Sequence, residues 1–432
     1  MQTKLKTNLA IIGAGPAGYK AAFLAADKGI DVCLIDSRVC PGGVCLHEGC
    51  IPSKTLLHTA DLFNQAKNLS DFGINIDVAP SLNIETIQKH KNNVIKRLQK
   101  GLEFLIKKKN IKFIHAKASF INQNTLKLVS DKNTINLKFD NAIIATGTKS
   151  KDIPGVSGIS SSEALNIQNI PEKLLIIGAG YIGLEMATIY AKLGSKVTLT
   201  DMLPTLLPNA DKDLVKPLEQ KIKKLVSSYL LGHKIDASAQ KDFDNTLIAI
   251  GRQPLTERLN LENIDIELTK DAFIKTNQNK QTNISNIYAI GDVSGEPLLA
   301  HKAYWDAHIA INFIINKETC IDTPIIPYTL FTDPQLAWVG LTEAEASKQN
   351  KNISIIKTPW TTLGKAVSLG RTEGLTKIIL EAKTDKILGA AIVGINASEL
   401  ISEMTLAINQ QLKWKDIKNT IHPHPTLSEG LD

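Results

Sequence analysis

Leu9-Ala10-Ile11-Ile12-Gly13-Ala14-Gly15-Pro16-Ala17-Gly18 and Leu174-Leu175-Ile176-Ile177-Gly178-Ala179-Gly180-Tyr181-Ile182-Gly183 are two copies of one pattern, far apart in the same chain. Each begins with four apolar residues, which read as a buried strand, and continues with glycines at the first, third and sixth following positions. After the first copy a helical stretch runs from Ala17 to about Lys28, and a strand at residues 31–35 ends on Asp36. After the second, the helix runs to Leu193 and a strand at residues 196–200 ends on Asp201. Both carboxylates stand 18 positions beyond the third glycine.

A dinucleotide requires this order of parts. The first glycine permits a tight turn, the second lets the backbone approach a pyrophosphate, and the third lets the helix pack on the strand. The helix N-terminus then presents free N–H groups to the phosphates, and the late carboxylate accepts from a ribose hydroxyl. A lone glycine pattern is weak; strand, glycines, helix, strand and acid in order, twice, imply two dinucleotides. Asp201 would repel a 2′-phosphate, and Met202-Leu203-Pro204-Thr205 supplies no compensating base. NAD is therefore expected over NADP at the second unit.

The chain has 432 residues, too many for one core, with 43% hydrophobic and 22% charged residues, as in soluble multidomain proteins. Its net charge of +7 is spread thinly, the only run being Lys107-Lys108-Lys109, which reads as a solvated helix face. With 5% aromatic residues and no basic stripe, a nucleic-acid function is not expected. Residues 1–8 carry no leader-like pattern and no apolar stretch reaches 18 residues, so a cytoplasmic protein without membrane partners is expected. The first strand is expected from Leu9.

Five cysteines, an odd number, do not suggest a structural disulfide framework. Cys45 and Cys50 lie in Gly42-Gly43-Val44-Cys45-Leu46-His47-Glu48-Gly49-Cys50-Ile51-Pro52-Ser53-Lys54, directly after the first dinucleotide pattern. Two cysteines so spaced can close a small disulfide ring beside a bound dinucleotide. The alternative is a metal site from Cys40, Cys45, His47 and Cys50, which lacks the usual paired short ligand repeats. Cys33, Cys40 and Cys320 read as small buried residues.

With this motif the chain resembles the flavoprotein disulfide reductase family and, within it, the dihydrolipoamide dehydrogenases, from about residue 9 to 429. Further marks are Ala142-Ile143-Ile144-Ala145-Thr146-Gly147, Ile248-Ala249-Ile250-Gly251-Arg252 and Ile287-Tyr288-Ala289-Ile290-Gly291-Asp292. His301-Lys302-Ala303, Ala337-Trp338-Val339-Gly340 and His422-Pro423-His424-Pro425-Thr426-Leu427-Ser428-Glu429 complete the series. The resemblance implies an α/β fold: two Rossmann-like domains, for FAD and NAD, plus an α+β C-terminal dimerisation domain. Its divisions are residues 1–150 for FAD and the redox cysteines, 151–270 for NAD, 271–322 as a central FAD-contacting segment and 323–432 as the dimer interface.

The same resemblance implies roles. FAD would lie on Gly13, Gly15 and Gly18 with Asp36 on its adenosine ribose, Asp292 on the ribityl chain, and Lys54, Thr146, Gly147 and Ala300 nearby. NAD would lie on Gly178, Gly180, Gly183, Asp201 and Gly251. Cys50 would contact the flavin, Cys45 would exchange with substrate, and Lys54 would pair with Glu185. His424 would be the base, oriented by Glu429, and would serve the disulfide of the partner subunit in a homodimer; His422 is expected to be structural. A dihydrolipoyl thiolate would attack Cys45, Cys50 would be released toward the flavin, and hydride would pass to NAD, the substrate being a lipoylated protein domain of a 2-oxo acid dehydrogenase or glycine cleavage complex. Glutathione reductase fits less well because of Asp201, and mercuric reductase because no C-terminal cysteine pair is present.

Two departures stand out. Residues 231–246 are too few for the β-meander that relatives carry, so a trimmed NAD domain is expected. The chain also ends three residues after Glu429, so fraying around the base is expected. A decayed homologue that keeps only nucleotide binding is the competing reading.

Overall fold

The computed structural model describes residues 4–131, 133–234, 237–319 and 325–431. The chain divides into two compact units, one of Met1–Thr55, Glu85–Lys151 and Gly251–Pro324, the other of Leu56–Ile84, Asp152–Ile250 and Ile325–Asp432.

In the first unit β1 (Lys4–Ile12) lies in the middle of a sheet, parallel to β2 (Val32–Asp36) on one side and β6 (Thr134–Ile144) on the other. β3 (Lys112–His115) extends the sheet beyond β2, and β13 (Ile287–Ala289) pairs in parallel with the end of β6. β4 (Lys117–Asn122) and β5 (Thr125–Val129) form an antiparallel extension along the first half of β6. Leu9, Ile11, Leu34 and Ile143 face one core, Ala10, Ile12, Ile35 and Ile144 the other, which is why these strands read as continuous apolar runs. α1 (Pro16–Asp27) and α8 (Ala300–Asn316) pack closely on the first face through Ala17, Ala21, Ala25, Ala303, Ala307 and Ala310. α2 (Gly43–Glu48), the start of α3 (Cys50–Lys67) and α4 (Ile84–Lys108) complete this part. Lys107 and Lys108 occupy the last turn of α4, where the helix dipole favours cations, and Lys109 pairs with Asp27. The lysine run is thus a helix end.

Two boundaries differ from expectation. β1 begins at Lys4 rather than Leu9, because Lys4, Leu5, Lys6 and Thr7 find partners in Asn136, Leu137, Lys138 and Phe139. Residues 251–270, expected with the NAD domain, pack with the first unit. β12 (Arg252–Pro254) pairs with β7 (Thr148–Ser150), and Leu259, Leu261, Ile264 and Ile266 are buried in the core beneath the first sheet.

The second unit holds a parallel sheet ordered β10 (Ser228–Leu231), β9 (Lys196–Asp201), β8 (Lys173–Ile177) and β11 (Asn245–Ile248). α5 (Ser161–Ala164), α6 (Tyr181–Leu193) and α7 (Lys212–Leu225) accompany it. Between β10 and β11 the described residues form one short helical turn, Ala237–Asp242, with nothing like the β4–β5 extension. The trimmed form is what the residue count requires.

The rest of the second unit is an antiparallel sheet, β14 (Tyr328–Leu330), β15 (Gln335–Gly340), β18 (Ile387–Gly394), β17 (Leu375–Glu381) and β16 (Ile353–Pro359). α9 (Glu343–Lys348), α10 (Gly364–Ser368), α11 (Ala397–Asn409) and α12 (Trp414–Lys418) surround it. Leu427 and Leu431 are buried in this core with Trp360 and Leu363. This burial opposes the fraying expected at that end.

Candidate functional site

In both glycine turns the three glycines divide their work alike. A Cβ on Gly13 (φ +105°) would lie 2.3 Å from the Ala145 carbonyl oxygen, and one on Gly18 would lie 1.7 Å from that of Gly13. On Gly178 (φ +108°) and Gly183 the corresponding clashes are 2.3 Å with Ala249 and 1.8 Å with Gly178. The outer two glycines are therefore demanded by the protein's own packing. The middle ones are not: a Cβ on Gly15 would meet nothing nearer than 3.8 Å, and one on Gly180 nothing within 4 Å. What needs the backbone bare there is an approaching ligand.

The two carboxylates also match. Asp36 accepts from the N–H of Ala14 (2.6 Å) and of Arg38 (2.8 Å); Asp201 accepts from Ala179 (2.7 Å) and Leu203 (2.8 Å). Each oxygen takes one backbone donor, so the carboxylate is fixed and keeps lone pairs for ribose hydroxyls. Space, free helix N-termini and anchored acceptors fit a dinucleotide at each turn.

The cysteine segment is seated on the first turn. Gly42 donates to the Ala14 carbonyl (2.8 Å), and Gly43 (φ +59°) approaches Gly15 so closely that a Cβ would come within 2.6 Å of its Cα. α2 carries Cys45 and stops at Gly49, and α3 starts on Cys50. Neither is part of a disulfide in this structure. The Cys45 thiol is pushed far up, first by its hydrogen bond to the Cys50 sulfur and then by burial, with Lys54 opposing. The two sulfurs thus face each other across the junction of α2 and α3.

Among the described residues Cys40, Cys45, His47 and Cys50 do not converge as metal ligands. His47 Nε2 lies 2.9 Å from the Pro41 carbonyl and 3.6 Å from Cys40 Sγ. Cys33 is buried, its thiol pushed up to about 12 by burial, whereas Cys40 is only half-buried, contrary to expectation; Cys320 lies outside the described residues.

Asp292 follows β13 in the turn Gly291–Ser294, and burial pushes its carboxyl up. It accepts from the Thr148 hydroxyl (3.0 Å), while the Arg252 guanidinium donates to Thr148 Oγ1 and to its carbonyl, both at 2.7 Å. Buried Lys302 holds the same turn, donating to the carbonyls of Gly291 and Gly295 (3.2 Å each) and pairing with Asp306 (2.8 Å). Thr146 donates to the Leu255 carbonyl (2.8 Å), Leu255 donates to that of Gly147 (2.9 Å), Gly251 takes φ +120°, and Ala300 opens α8. Thr148, Arg252, Lys302 and Asp306 went unassigned in the sequence. Lys302 and Asp306 stand at i,i+4 on α8, a helical spacing the sequence could have shown, whereas no spacing links Arg252 to Thr148.

His424 and Glu429 meet as expected: Nδ1 lies 2.8 Å from Oε1, and the Thr426 N–H holds Oε2 at 2.8 Å. The hydrogen bond to His424 holds the Glu429 carboxyl below its usual range. The imidazole itself is exposed, whereas the His422 side chain is buried against Glu403 (3.0 Å). Glu185 is buried in the second unit and accepts from the Phe331 N–H (3.2 Å); Lys54 belongs to the first unit.

None of the described helices is long and apolar enough to cross a membrane. Residues 7–307 match the family model for pyridine nucleotide-disulphide oxidoreductases, and residues 326–432 match that family's dimerisation domain. The chain is 42% identical to the dihydrolipoyl dehydrogenase of Buchnera aphidicola subsp. Schizaphis graminum, over 100% of this chain and 95% of that protein. It is 37% identical to the Vibrio cholerae dihydrolipoyl dehydrogenase, with the same coverage. Among solved structures it resembles the Cu(II) complex of the HOCl-induced flavoprotein disulfide reductase RclA from Escherichia coli (27% identity, TM-score 0.87, 99% of this chain and 98% of that chain). LpdA from Mycobacterium tuberculosis shares the fold (22% identity, TM-score 0.91, 98% of each chain). Two matched dinucleotide turns, a thiol pair seated on the first of them and matching family models along nearly the whole length place this chain in the pyridine nucleotide-disulphide oxidoreductase family, whose members bind FAD and NAD(P).

Proposed function

We propose that the chain is a dihydrolipoyl dehydrogenase, oxidising protein-bound dihydrolipoyl groups with NAD as acceptor. The observation that carries this reading is the Cys45–Cys50 pair, its sulfurs hydrogen-bonded to each other, on a segment seated against Gly15 through Gly43. Residues 1–150 and 271–322 would hold FAD through Gly13, Gly15, Gly18, Asp36, Thr146, Gly147, Asp292 and Ala300, with Lys54 beside the thiols. Residues 151–270 would hold NAD through Gly178, Gly180, Gly183, Asp201 and Gly251, and residues 323–432 would form the homodimer interface. The setting is the cytoplasm.

The reaction begins from the Cys45–Cys50 disulfide. His424 of the partner subunit, held by Glu429, takes a proton from one substrate thiol, and the resulting thiolate attacks Cys45 Sγ, breaking the internal S–S bond and leaving Cys50 as thiolate. The second substrate thiol, deprotonated in turn, attacks its neighbour's sulfur in the mixed disulfide. The lipoyl ring closes and Cys45 leaves as a thiol, taking the proton of that second substrate thiol. A flavin held by the first-unit residues named above would supply the two-electron relay between this dithiol and the nicotinamide. Glu185 would pair with Lys54 to hold its charge in place.

The test is lipoamide-dependent NADH formation by the purified, flavin-loaded protein. Turnover that disappears in both Cys45→Ser and Cys50→Ser, with flavin retained, supports the reading. The likeness to RclA favours a second reading, an NAD(P)H-driven reductase of another disulfide. Absent lipoamide turnover with intact NADH oxidation would select that one.

A further inference from the structure

α3 starts in the first unit with Cys50 and Lys54 and runs on into the second, where Leu56, Leu57 and Ala60 are buried. Next to them Asp61 meets Nζ of Lys192 (2.5 Å), in the last turn of α6. The Lys192 side chain is only 4% exposed, and its Nζ also pairs with Asp333 (2.7 Å), between β14 and β15. Asp333 pairs in turn with Arg371, and Arg371 with Glu373 (2.7 Å), ahead of β17. Asp61, Lys192, Asp333, Arg371 and Glu373 thus form a row of charges of alternating sign, all within the second unit. Burial alone would raise the Asp333 carboxyl, but Lys192 and Arg371 outweigh it and hold it below its usual range. Asp61 stands seven residues after Lys54, and Lys192 seven after Glu185. Each member of this ion pair therefore lies two helical turns, about 10 Å, beyond a member of the pair that the proposed reaction uses.

We propose that Lys192 is a positioning residue for the thiol pair: through Asp61 it fixes the axial setting of α3, and with it the place of Lys54 one turn after Cys50. This rests on the proposed function, in which Lys54 stands beside the thiols. Leu56, Leu57 and Ala60 hold the helix down by apolar burial, which is non-directional and tolerates small axial slips. A nearly buried ammonium between two carboxylates does not tolerate them, because it must keep both within hydrogen-bonding distance once water is excluded. Such a pair adds little stability over an apolar side chain of similar size, and its best-attested use is to set register. The helix carries that setting back to its first turn, where the Lys54 charge opposes the upward push on the Cys45 thiol.

The experiment uses flavin-loaded protein with its thiol pair reduced, and follows against pH the long-wavelength absorption that a Cys50 thiolate gives beside a flavin. Lipoamide-dependent kcat and the KM for NAD are measured alongside. Lys192→Met should move the midpoint up by about 0.5 pH, a roughly threefold weaker ionisation, because Lys54 is no longer held in place. Misplacing a reacting group by about 1 Å can cost on the order of 100-fold, and a loosened helix supplies a fraction of that, so kcat should fall between about threefold and tenfold with KM within about twofold. Asp61→Asn, at a side chain 39% exposed, should fold even where Lys192→Met does not, and should move the midpoint in the same upward direction. Direct electrostatics would shift these two variants oppositely, since one loses a cation and the other an anion; a shared upward shift marks repositioning. Asp333→Asn leaves the tie to α3 intact, so it should lower stability in urea while midpoint and kcat stay within about twofold of wild type. Unmoved or opposite midpoints in Lys192→Met and Asp61→Asn, or an equal shift in Asp333→Asn, would overturn the proposal. A wild type with neither the absorption nor lipoamide turnover would instead sink the proposed function beneath it.

Discussion

Gly180→Ala and Gly183→Ala should separate ligand binding from folding at positions three residues apart. At Gly183 the new methyl would lie 1.8 Å from the Gly178 carbonyl, so α6 must shift off β8. Overpacking of this kind costs about 1–3 kcal/mol or more, and here the obstructing atom is backbone, so the upper end is expected. At Gly180 the methyl meets nothing within 4 Å, and φ −79°, ψ −171° is open to alanine. The lower chain entropy of the unfolded alanine variant stabilises it by roughly 0.4–1 kcal/mol, offset by a few tenths for a poorer N-cap, so stability should hold within about 1 kcal/mol. Binding reverses the order. The Gly180 methyl occupies the approach a pyrophosphate requires, and an NADH affinity loss of at least about tenfold, roughly 1.4 kcal/mol, is expected. Urea denaturation and calorimetric NADH titration on both variants provide the numbers. A Gly180→Ala protein that binds NADH like wild type, or that loses as much stability as Gly183→Ala, would refute the reasoning.

Other outcomes follow from the same geometry. Asp201→Ser should narrow the preference for NAD over NADP by removing both charge repulsion and a ribose acceptor; equal use of the two by the unmodified protein would count against that assignment. Lys377, fully buried, meets Asp211 (2.8 Å), Asp213 (3.1 Å) and Glu343. Burial alone would lower its pKa, but hydrogen bonds to these carboxylates outweigh it and the net shift is upward. Lys377→Met should cost about 3 kcal/mol, the low end for breaking a buried pair because Asp213 and Glu343 stay partly solvated. That contribution is complete below the unfolded lysine value of about 10.4 and is lost as pH rises through the raised folded value, so the wild-type advantage in urea should shrink only in strong alkali. A difference that vanished near neutrality would exclude the ion-pair origin. At the base, His424→Ala should let the Glu429 carboxyl titrate closer to the usual glutamate range in a carbon-13 NMR titration; an unmoved curve would show that the Thr426 N–H alone depresses it.

The parts of the site readable in the sequence are those whose residue type is forced locally. Gly13 and Gly178 sit at positive φ and Gly18 and Gly183 lie against carbonyl oxygens within their own turns, so no other residue fits and the spacing is visible. Asp36 and Asp201 end strands whose length is set by the helix before them, and their first duty, holding the turn through Ala14 and Ala179, is also local. His424 and Glu429 are joined across five positions. The short stretch between β10 and β11 could be counted, because a hairpin has a minimum length.

What the tertiary structure decided involves residues with no local reason to be read. Lys4, Lys6 and Thr7 are polar, and this stretch becomes strand only because residues 136–139 of β6 offer a partner. Thr148, Arg252 and Asp292 come from three distant segments, and their hydrogen bonds depend on β7 meeting β12. Trp338 is an ordinary strand tryptophan in sequence; its place beside Gly180 follows from which face of β15 turns toward the second glycine turn. The sequence alone therefore determined that two dinucleotides and a dithiol are accommodated, since backbone sterics write glycine, acid and cysteine spacings directly into the chain. Which side chains anchor the buried carboxylate and border the cleft at the second glycine turn was decided only by packing between segments far apart in sequence, where contact depends on the fold and leaves no periodic trace.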